Sequence, residues 1–203
     1  MIFAYIGGIG SGKTISCIKN IVENEYTYPV TNFKLKNWAR YHRLKIEDVI
    51  LTEKDEKGKP KSKINWAFWN ELKKEYPYFC VYLDEIHNLI HARRSMSKTN
   101  ILMNMWISQI RKILSDSVTN NLYIISQRVN AIDVGFRDLV HIWIECEKLQ
   151  VDNKVFIINK YYENLMDYDI GEYFAMDVFQ ANKYFQYYDS YEIVFGEEDI
   201  YLK

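Results

Sequence analysis

The sequence has few of the features that mark secreted or membrane-spanning chains. It contains three cysteines in 203 residues, an odd number without a Cys-x-x-Cys pair, which favours neither a disulfide framework nor a zinc site. No apolar run approaches the roughly 18–20 residues that a membrane-spanning helix needs. The chain opens directly into apolar residues 2–6 without a basic leader. We therefore expect a cytoplasmic protein without an intrinsic membrane segment.

Neither sign of charge dominates the chain as a whole, because 26 basic residues face 27 acidic ones and the net charge is −1. The distribution is uneven. Residues 164–203 hold nine acids and two lysines, a net charge of −7, which leaves +6 for residues 1–163. A basic body suits a polyanionic partner such as DNA. An incidental asymmetry explains the same numbers equally well.

Short apolar runs alternate with helix-length amphipathic segments. This alternation predicts a mostly parallel sheet covered by helices, an α/β fold. Strands are expected at 2–6, 30–33, 78–83, 122–125, 139–147 and 155–158, the last two pairing through a turn at 152–153; helices are expected at 13–25, 64–75, 86–90 and 99–115. In the last helix, apolar residues at 101, 105, 107, 110 and 114 predict the buried face.

Two segments stand apart from this pattern. Residues 52–63 are charged, lack apolar side chains and contain both Gly58 and Pro60, so they predict an exposed loop. Residues 164–203 form an acidic extension with eleven aromatic residues. These rings suit packing on the sheet edge or on a neighbouring subunit better than stacking on bases, because the segment is acidic.

A phosphate-binding loop is the sharpest motif. Residues 7–14 fit GxxxxGK[ST], directly after a predicted strand and before a predicted helix. In such a loop, backbone N–H groups and the helix N-terminus surround a phosphate. The predicted nucleotide-binding residues are Gly7, Gly8, Ile9, Gly10, Ser11, Gly12, Lys13 and Thr14. Lys13 reaches the β- and γ-phosphates, and the Thr14 hydroxyl is a ligand for Mg²⁺, so we expect ATP and Mg²⁺ to bind here.

Two further strands end in polar residues that complete this chemistry. Asp84 follows the apolar run at 79–83 and is predicted to hold the magnesium through its water shell. Glu85 is placed to activate a water molecule for attack on the γ-phosphate, which favours hydrolysis over phosphoryl transfer to another substrate. Gln127 follows the strand at 122–125 and is placed to sense the γ-phosphate and orient the water.

The order of these motifs resembles the FtsK/HerA superfamily of P-loop ATPases, and within it the branch of viral genome-packaging and zonula-occludens-toxin-like ATPases. The residues that carry the resemblance are the P-loop at 7–14, Leu83–His87, Ala92–Ser95, Ser126–Arg128, Ile132–Asp133 and Arg137–Leu139. The resemblance implies a RecA-like P-loop NTPase domain at 1–163, followed by the extension at 164–203. It also implies Glu85 as catalytic base and Gln127 as sensor.

The resemblance further implies an arginine supplied by a neighbouring subunit, and the matching residue is Arg111. Such an arginine stabilises charge in the transition state. Arg93, Arg94, Arg128 and Arg137 compete for this role. Residues 115–120 look like an insertion between Arg111 and the sensor strand, which weakens the match.

Two lesser candidates lie after Glu85. His87 and His91 are four apart, a spacing that suits a metal ion, although no third ligand is apparent and a helix surface is the simpler reading. Residues 93–99 are basic and hydroxyl-rich, typical either of a DNA-phosphate contact or of a polar loop.

The expected function is an ATP-hydrolysing translocase of double-stranded DNA, a viral or plasmid packaging ATPase that assembles into a ring, by expectation a hexamer. A capsid or membrane protein is a further expected partner, and a viral origin would place the chain in the host cytoplasm. The alternatives are a phage assembly or secretion ATPase acting on protein partners, and a nucleotide switch without a motor function.

Overall fold

The structure is a computed structural model and describes residues 1–54, 56–85, 98–114 and 117–188. The strands are β1 (Ile2–Ile6), β2 (Tyr28–Thr31), β3 (His42–Arg43), β4 (Ile50–Lys54), β5 (Pro60–Ile64), β6 (Phe79–Leu83), β7 (Leu122–Ser126), β8 (Ile142–Val151), β9 (Lys154–Tyr162) and β10 (Ala175–Gln180). The helices are α1 (Lys13–Glu23), α2 (Ile46–Val49), α3 (Trp66–Glu75), α4 (Lys98–Leu114), α5 (Val134–Arg137) and α6 (Leu165–Ile170).

Eight strands form one sheet in the order β10-β9-β8-β1-β7-β6-β2-β3. The six strands from β8 to β3 run parallel, and β9 and β10 add antiparallel strands at one edge. In a parallel sheet the carboxyl ends of the strands meet at one edge. The loops after β1, β6 and β7 therefore lie together. This sheet, flanked by helices, confirms the predicted α/β, RecA-like fold.

Each face of the sheet has its own hydrophobic core. On one face, Ile18 and Ile21 of α1 pack against Tyr5, Tyr82 and Ile125. On the other face, α3 and α4 pack against apolar residues of β1, β6 and β7, and Trp69 contacts Trp106 with ring centroids 5.2 Å apart. The central strands are buried on both faces, which explains why they read as continuous apolar runs.

The prediction of a loop at 52–63 is wrong, because β4 and β5 pair there as an antiparallel hairpin. Only its base is apolar and buried, at Ile50 and Ile64. The exposed part is joined by backbone pairing and by polar contacts, among them the Lys63–Glu53 ion pair at 2.8 Å. Strands exposed on both faces lack the alternating hydrophobic pattern from which a strand is predicted.

The buried face of α4 also differs from the expectation. Ile107, Ile110 and Leu114 are buried as predicted, whereas Ile101 and Met105 are exposed. Met103, Trp106 and Ile113 are buried in addition. The helix therefore buries a face rotated from the predicted one, and Trp106 anchors that face on α3.

The described part of the C-terminal extension joins the sheet through β10, which pairs with β9. Beyond it, residues 181–188 lie over the same face as α1. The Tyr184 hydroxyl donates to Glu23 Oε1 at 2.9 Å, and Lys19 forms an ion pair with Asp177 at 3.0 Å. The Lys36 N–H donates to the carbonyl of Tyr187 at 2.9 Å. A domain boundary at 163 stays a prediction.

Within the described ranges, none of the helices combines the length and the apolar character needed to cross a membrane.

Candidate functional site at the carboxyl edge of the sheet

The P-loop, residues 7–14, curls from the end of β1 into α1. Gly7 and Gly12 have φ angles of 146° and 98°, which side chains of other residues rarely tolerate. A Cβ atom at Gly7 would lie 2.7 Å from the carbonyl oxygen of Cys146, and one at Gly12 would collide with the side chain of Ile157. The two glycines that the motif requires are thus fixed by close contacts with β8 and β9.

Lys13 turns its amine back into this loop. Its Nζ donates to the carbonyl oxygens of Gly7 at 2.9 Å and Gly8 at 2.8 Å, and the residue is only 7% exposed. Burial lowers the pKa of Lys13, while the carboxylate of Asp84 opposes that shift. Among the described atoms, Ser11 Oγ is buried without a hydrogen-bond partner. A dehydrated amine and a hydroxyl inside a glycine loop fit a polyphosphate.

Thr14 and Asp84 form the second part of the site. The Thr14 hydroxyl donates to Asp84 Oδ2 at 2.8 Å, and Asp84 is 4% exposed. Burial raises the pKa of Asp84 to about 6, although the hydrogen bond from Thr14 acts in the opposite direction. A hydroxyl and a carboxylate are the hard oxygen ligands that Mg²⁺ prefers. These two residues therefore fit a magnesium ion, which would offset the cost of burying the carboxylate.

Glu85 lies at the turn that follows β6. Its φ angle of 50° is in the left-handed region, a strained conformation for a residue other than glycine. The turn is closed by the Glu85 N–H, which donates to Asp84 Oδ1 at 2.8 Å. The side chain accepts a hydrogen bond from Gln127 Nε2 at 3.2 Å. Asp84 and Glu85 thus present their carboxylates in different directions.

The strand order explains why Gln127 meets Glu85. Strand β7 lies between β1, which leads into the P-loop, and β6, which leads into Asp84. Gln127 directly follows β7, so its backbone lies between the strand ends that lead into the P-loop and into the acidic pair, and its side chain contacts Glu85. This arrangement brings together Lys13, Thr14, Asp84, Glu85 and Gln127.

Arg111 is not part of this cluster. It is exposed in the last turn of α4, and α4 returns from the carboxyl edge of β6 to the amino end of β7. Burial, the N-terminal ammonium and the charge of Arg111 together lower the pKa of His141. His141 Nδ1 accepts from the N–H of Ile2, the first residue of β1. Arg111 therefore lies at the opposite edge of the sheet from its own P-loop.

The other arginines divide between described and undescribed residues. Arg128 is exposed and directly follows Gln127, and Arg137 Nη1 donates to Asn130 Oδ1 at 3.3 Å. Arg93 and Arg94 lie outside the described residues, as do His87, His91 and Ser95. The three cysteines, Cys17, Cys80 and Cys146, are free and buried.

Asn32 belongs to the site and was not predicted from the sequence. It directly follows β2 and is 3% exposed. Its Oδ1 accepts from the N–H of Asp84 and its Nδ2 donates to the carbonyl of Asp84, both at 2.8 Å. The strand predicted at 30–33 included Asn32, whereas β2 ends at Thr31; a polar amide within an otherwise short apolar segment was the available signal.

Comparison with solved structures finds chains of similar fold. The chain is similar to the N-terminal domain of zonular occludens toxin from Neisseria meningitidis, with a TM-score of 0.57, 16% identity and coverage of 93% of this chain and 98% of that one. The genome packaging NTPase B204 of Sulfolobus turreted icosahedral virus 2, in complex with AMP, has a TM-score of 0.49 and 11% identity, with coverage of 90% of this chain and 93% of that one. The flagellar accessory protein FlaH from Methanocaldococcus jannaschii has a TM-score of 0.46 and 13% identity, with coverage of 88% of this chain and 84% of that one.

No protein-family model matches the chain, and no curated protein gives a significant match. Identities this low show a shared fold, while the activity has to be inferred from the site. In fold the chain is similar to the zonular occludens toxin domain, and its motif order resembles that of P-loop NTPases of the FtsK/HerA-like kind.

Proposed function

We propose that the chain is an ATP-hydrolysing DNA translocase of the genome-packaging type, acting as a ring. The observation that carries this proposal is the contact of Glu85 with Gln127, next to the Thr14–Asp84 pair. A carboxylate and an amide placed together beside a phosphate-binding loop suit the activation of a water molecule. A kinase, which transfers the phosphoryl group to a bound substrate, has no need of this pair.

In the proposed reaction, P-loop N–H groups and the Lys13 ammonium bind the β- and γ-phosphates of ATP. Thr14 and Asp84 would hold Mg²⁺, which neutralises phosphate charge when bound. Gln127 orients the attacking water, and the Glu85 carboxylate accepts its proton. The bond between the γ-phosphorus and the β,γ-bridging oxygen breaks, and ADP and inorganic phosphate are released.

In a ring, the next subunit would supply a further cation to the site. Arg111 is exposed and lies at the far edge from its own P-loop, so a role in hydrolysis requires the site of a neighbour. Arg128 and Arg137 stay alternatives for the same role. An arginine acting between subunits makes hydrolysis depend on assembly. A hexamer is the ring size that the family resemblance suggests.

Double-stranded DNA is the proposed substrate because the body of the chain is basic, with +6 over residues 1–163. The exposed β4–β5 hairpin, residues 50–64, has five lysines and three acids and so contributes +2 to that charge. Contacts of this kind neutralise phosphates without reading the sequence. Capsid or membrane proteins are proposed as additional partners in the host cytoplasm.

The test is the rate of Mg²⁺-dependent ATP hydrolysis with and without duplex DNA, over a series of salt concentrations. We expect duplex DNA to stimulate hydrolysis at low salt and the stimulation to fall as salt rises. The Lys13→Ala variant controls for contaminating ATPases. Hydrolysis that DNA leaves unchanged at every salt concentration would refute the DNA substrate.

That outcome would favour the second candidate, a phage assembly or secretion ATPase acting on protein partners. Exposed apolar side chains on α6 and β10 support this candidate, since such patches mark protein interaction sites. The residues are Met166, Ile170, Met176 and Val178, together with Phe174 between the two elements.

A further inference from the structure

The side chain of Asn32 replaces a missing strand neighbour at the end of β6. Strand β2 ends at Thr31, where the chain turns away and the Thr31 hydroxyl donates to the carbonyl of Phe33 at 2.5 Å. The Asn32 N–H still donates to the carbonyl of Tyr82 at 3.3 Å. Two residues after Tyr82, at Asp84, the backbone of β2 is no longer available, and the side-chain amide of Asn32 makes the hydrogen bonds instead.

The two bonds of this amide hold the backbone on both sides of the Asp84 side chain. Asn32 Oδ1 accepts from the Asp84 N–H, and Asn32 Nδ2 donates to the Asp84 carbonyl, both at 2.8 Å and both buried. The Asp84 carbonyl belongs to the peptide group that leads into Glu85. Asn32 therefore fixes the point from which the left-handed turn at Glu85 begins.

This turn decides where the Glu85 carboxylate lies. At a φ of 50° the backbone directs the side chain towards Gln127, with Nε2 and Oε1 3.2 Å apart. The conformation is unfavourable for glutamate and persists only where surrounding bonds hold it. Among the described residues, the bonds that hold it include those of Asn32 to Asp84 and that of the Glu85 N–H to Asp84 Oδ1.

We propose that Asn32 is a positioning residue for hydrolysis: it orients Glu85 and Asp84 through the backbone of Asp84. This role rests on the proposed ATP hydrolysis and adds to it a residue that the motifs do not contain. The amide oxygen and nitrogen of Asn32 both bond the Asp84 backbone, so the proposed role is exerted through Asp84. Its removal should slow the chemical step more than it weakens nucleotide binding, because Lys13 and the P-loop are left intact.

A matched control residue, Asn120, lies at the amino end of β6, opposite the end that Asn32 contacts. Asn120 is 1% exposed; its Oδ1 accepts from the N–H of Phe79 at 3.1 Å and its Nδ2 donates to the carbonyl of Pro77 at 3.0 Å. Asn32 and Asn120 thus each bond one backbone N–H and one backbone carbonyl, at opposite ends of β6: Asn32 bonds both groups of Asp84, and Asn120 bonds groups of Phe79 and Pro77. Only Asn32 lies next to the acidic pair.

The experiment compares Asn32→Ala with Asn120→Ala in the full chain. Each loses two side-chain hydrogen bonds to the backbone, both buried for Asn32 and one of them part-buried for Asn120, so both variants should lower the midpoint of thermal unfolding, by about 3–8 °C. The kcat for ATP should fall about 10–100-fold in Asn32→Ala with KM changed less than about threefold, because small misplacements of a reacting group are costly. In Asn120→Ala, kcat should stay within about twofold of wild type.

Equal losses of kcat in the two variants would show a merely structural role and overturn the proposal, as would full kcat in Asn32→Ala. A third variant, Asn32→Ser, has a hydroxyl that bonds one of the two peptide groups, and its kcat should lie between those of wild type and Asn32→Ala. It decides the question if Asn32→Ala does not fold. Wild-type protein without ATP hydrolysis would refute the proposed function and this role together, whereas an active wild type separates the two.

Discussion

The two edges of the parallel sheet differ in the buried polar side chains that they contain. At the amino edge, the buried Asn120 amide is paired with backbone groups, and the exposed His141 accepts from the N–H of Ile2. At the carboxyl edge, Asn32 is also paired with backbone groups, but the ionisable Lys13 and Asp84 are buried beside it; burial lowers the pKa of Lys13 and raises that of Asp84. The amino edge stabilises the fold, whereas the carboxyl edge carries buried charge that a bound triphosphate and cation would compensate.

The largest effect is expected at the carboxyl edge, from Lys13→Ala. Loss of the amine should reduce ATP affinity beyond detection while leaving thermal stability equal or higher, because a buried cation is removed. Lys19→Ala, on the same helix, is the control: it breaks ion pairs with Glu23 and Asp177 and should lower stability while ATP still binds. Titration with a fluorescent ATP analogue measures the affinity. ATP binding by Lys13→Ala within tenfold of wild type would contradict the assignment.

The amino edge has one proposed functional residue, Arg111. Its variant tests whether the amino edge of one subunit lies against the nucleotide site, at the carboxyl edge, of the next subunit. Arg111→Ala should lower kcat by about 10³-fold or more, as for arginines acting in trans. Mixing it with a second inactive variant, Glu85→Gln, should restore part of the activity, since some interfaces then pair an intact arginine with an intact glutamate. A mixture as inactive as its components would instead direct attention to Arg128 and Arg137.

A smaller effect is expected in the pH dependence of the free energy of unfolding, measured without nucleotide or Mg²⁺. The folded-state pKa of Asp84, about 6, lies above its ordinary value of 3.8. Its contribution to stability is therefore full below pH 3.8 and is lost as pH rises through 6. The loss is about 3 kcal/mol, at about 1.4 kcal/mol per pKa unit. Asp84→Asn should flatten this dependence and unfold at higher denaturant concentration than wild type at pH 7.

Asp48 is the control, because its pKa is shifted in the opposite direction from that of Asp84. Burial alone would raise the pKa of Asp48, but hydrogen bonds from His42 and from the Lys45 N–H lower it. Its contribution to stability is present above its ordinary pKa and is lost as pH falls, so Asp48→Asn should destabilise the protein at pH 7. Urea unfolding from pH 4 to 8 measures both variants. The same pH slope in Asp84→Asn as in wild type would show that Asp84 is not the group that titrates.

The sequence predicted the strands that are buried on both faces, together with the β8–β9 pair, and missed the polar β4–β5 hairpin. β1, β6 and β7 are recognisable as apolar runs, but the polar β4–β5 hairpin is not, because backbone pairing leaves no mark in composition. The P-loop at 7–14 is likewise recognisable, since close contacts require glycine at Gly7 and Gly12. The roles of the site residues named from the motifs stay predictions.

Asn32 shows why the rest of the site could not be predicted from the sequence. Its partner, Asp84, is 52 residues away, and the two meet because β2 and β6 are neighbours in the sheet. Neither the strand order nor the early end of β2 can be derived from one sequence. The same reason applies to Arg111, whose position depends on the direction in which α4 returns to the amino edge.

The central claim is that the Glu85 carboxylate activates the water that attacks ATP. The most direct measurement is the ATP affinity and kcat of Glu85→Gln, which keeps the size of the side chain and an oxygen able to accept from Gln127 Nε2. The account predicts that affinity stays within a few-fold of wild type while kcat falls by at least about 100-fold. Turnover close to wild type, or an equal loss of affinity and turnover, would contradict it.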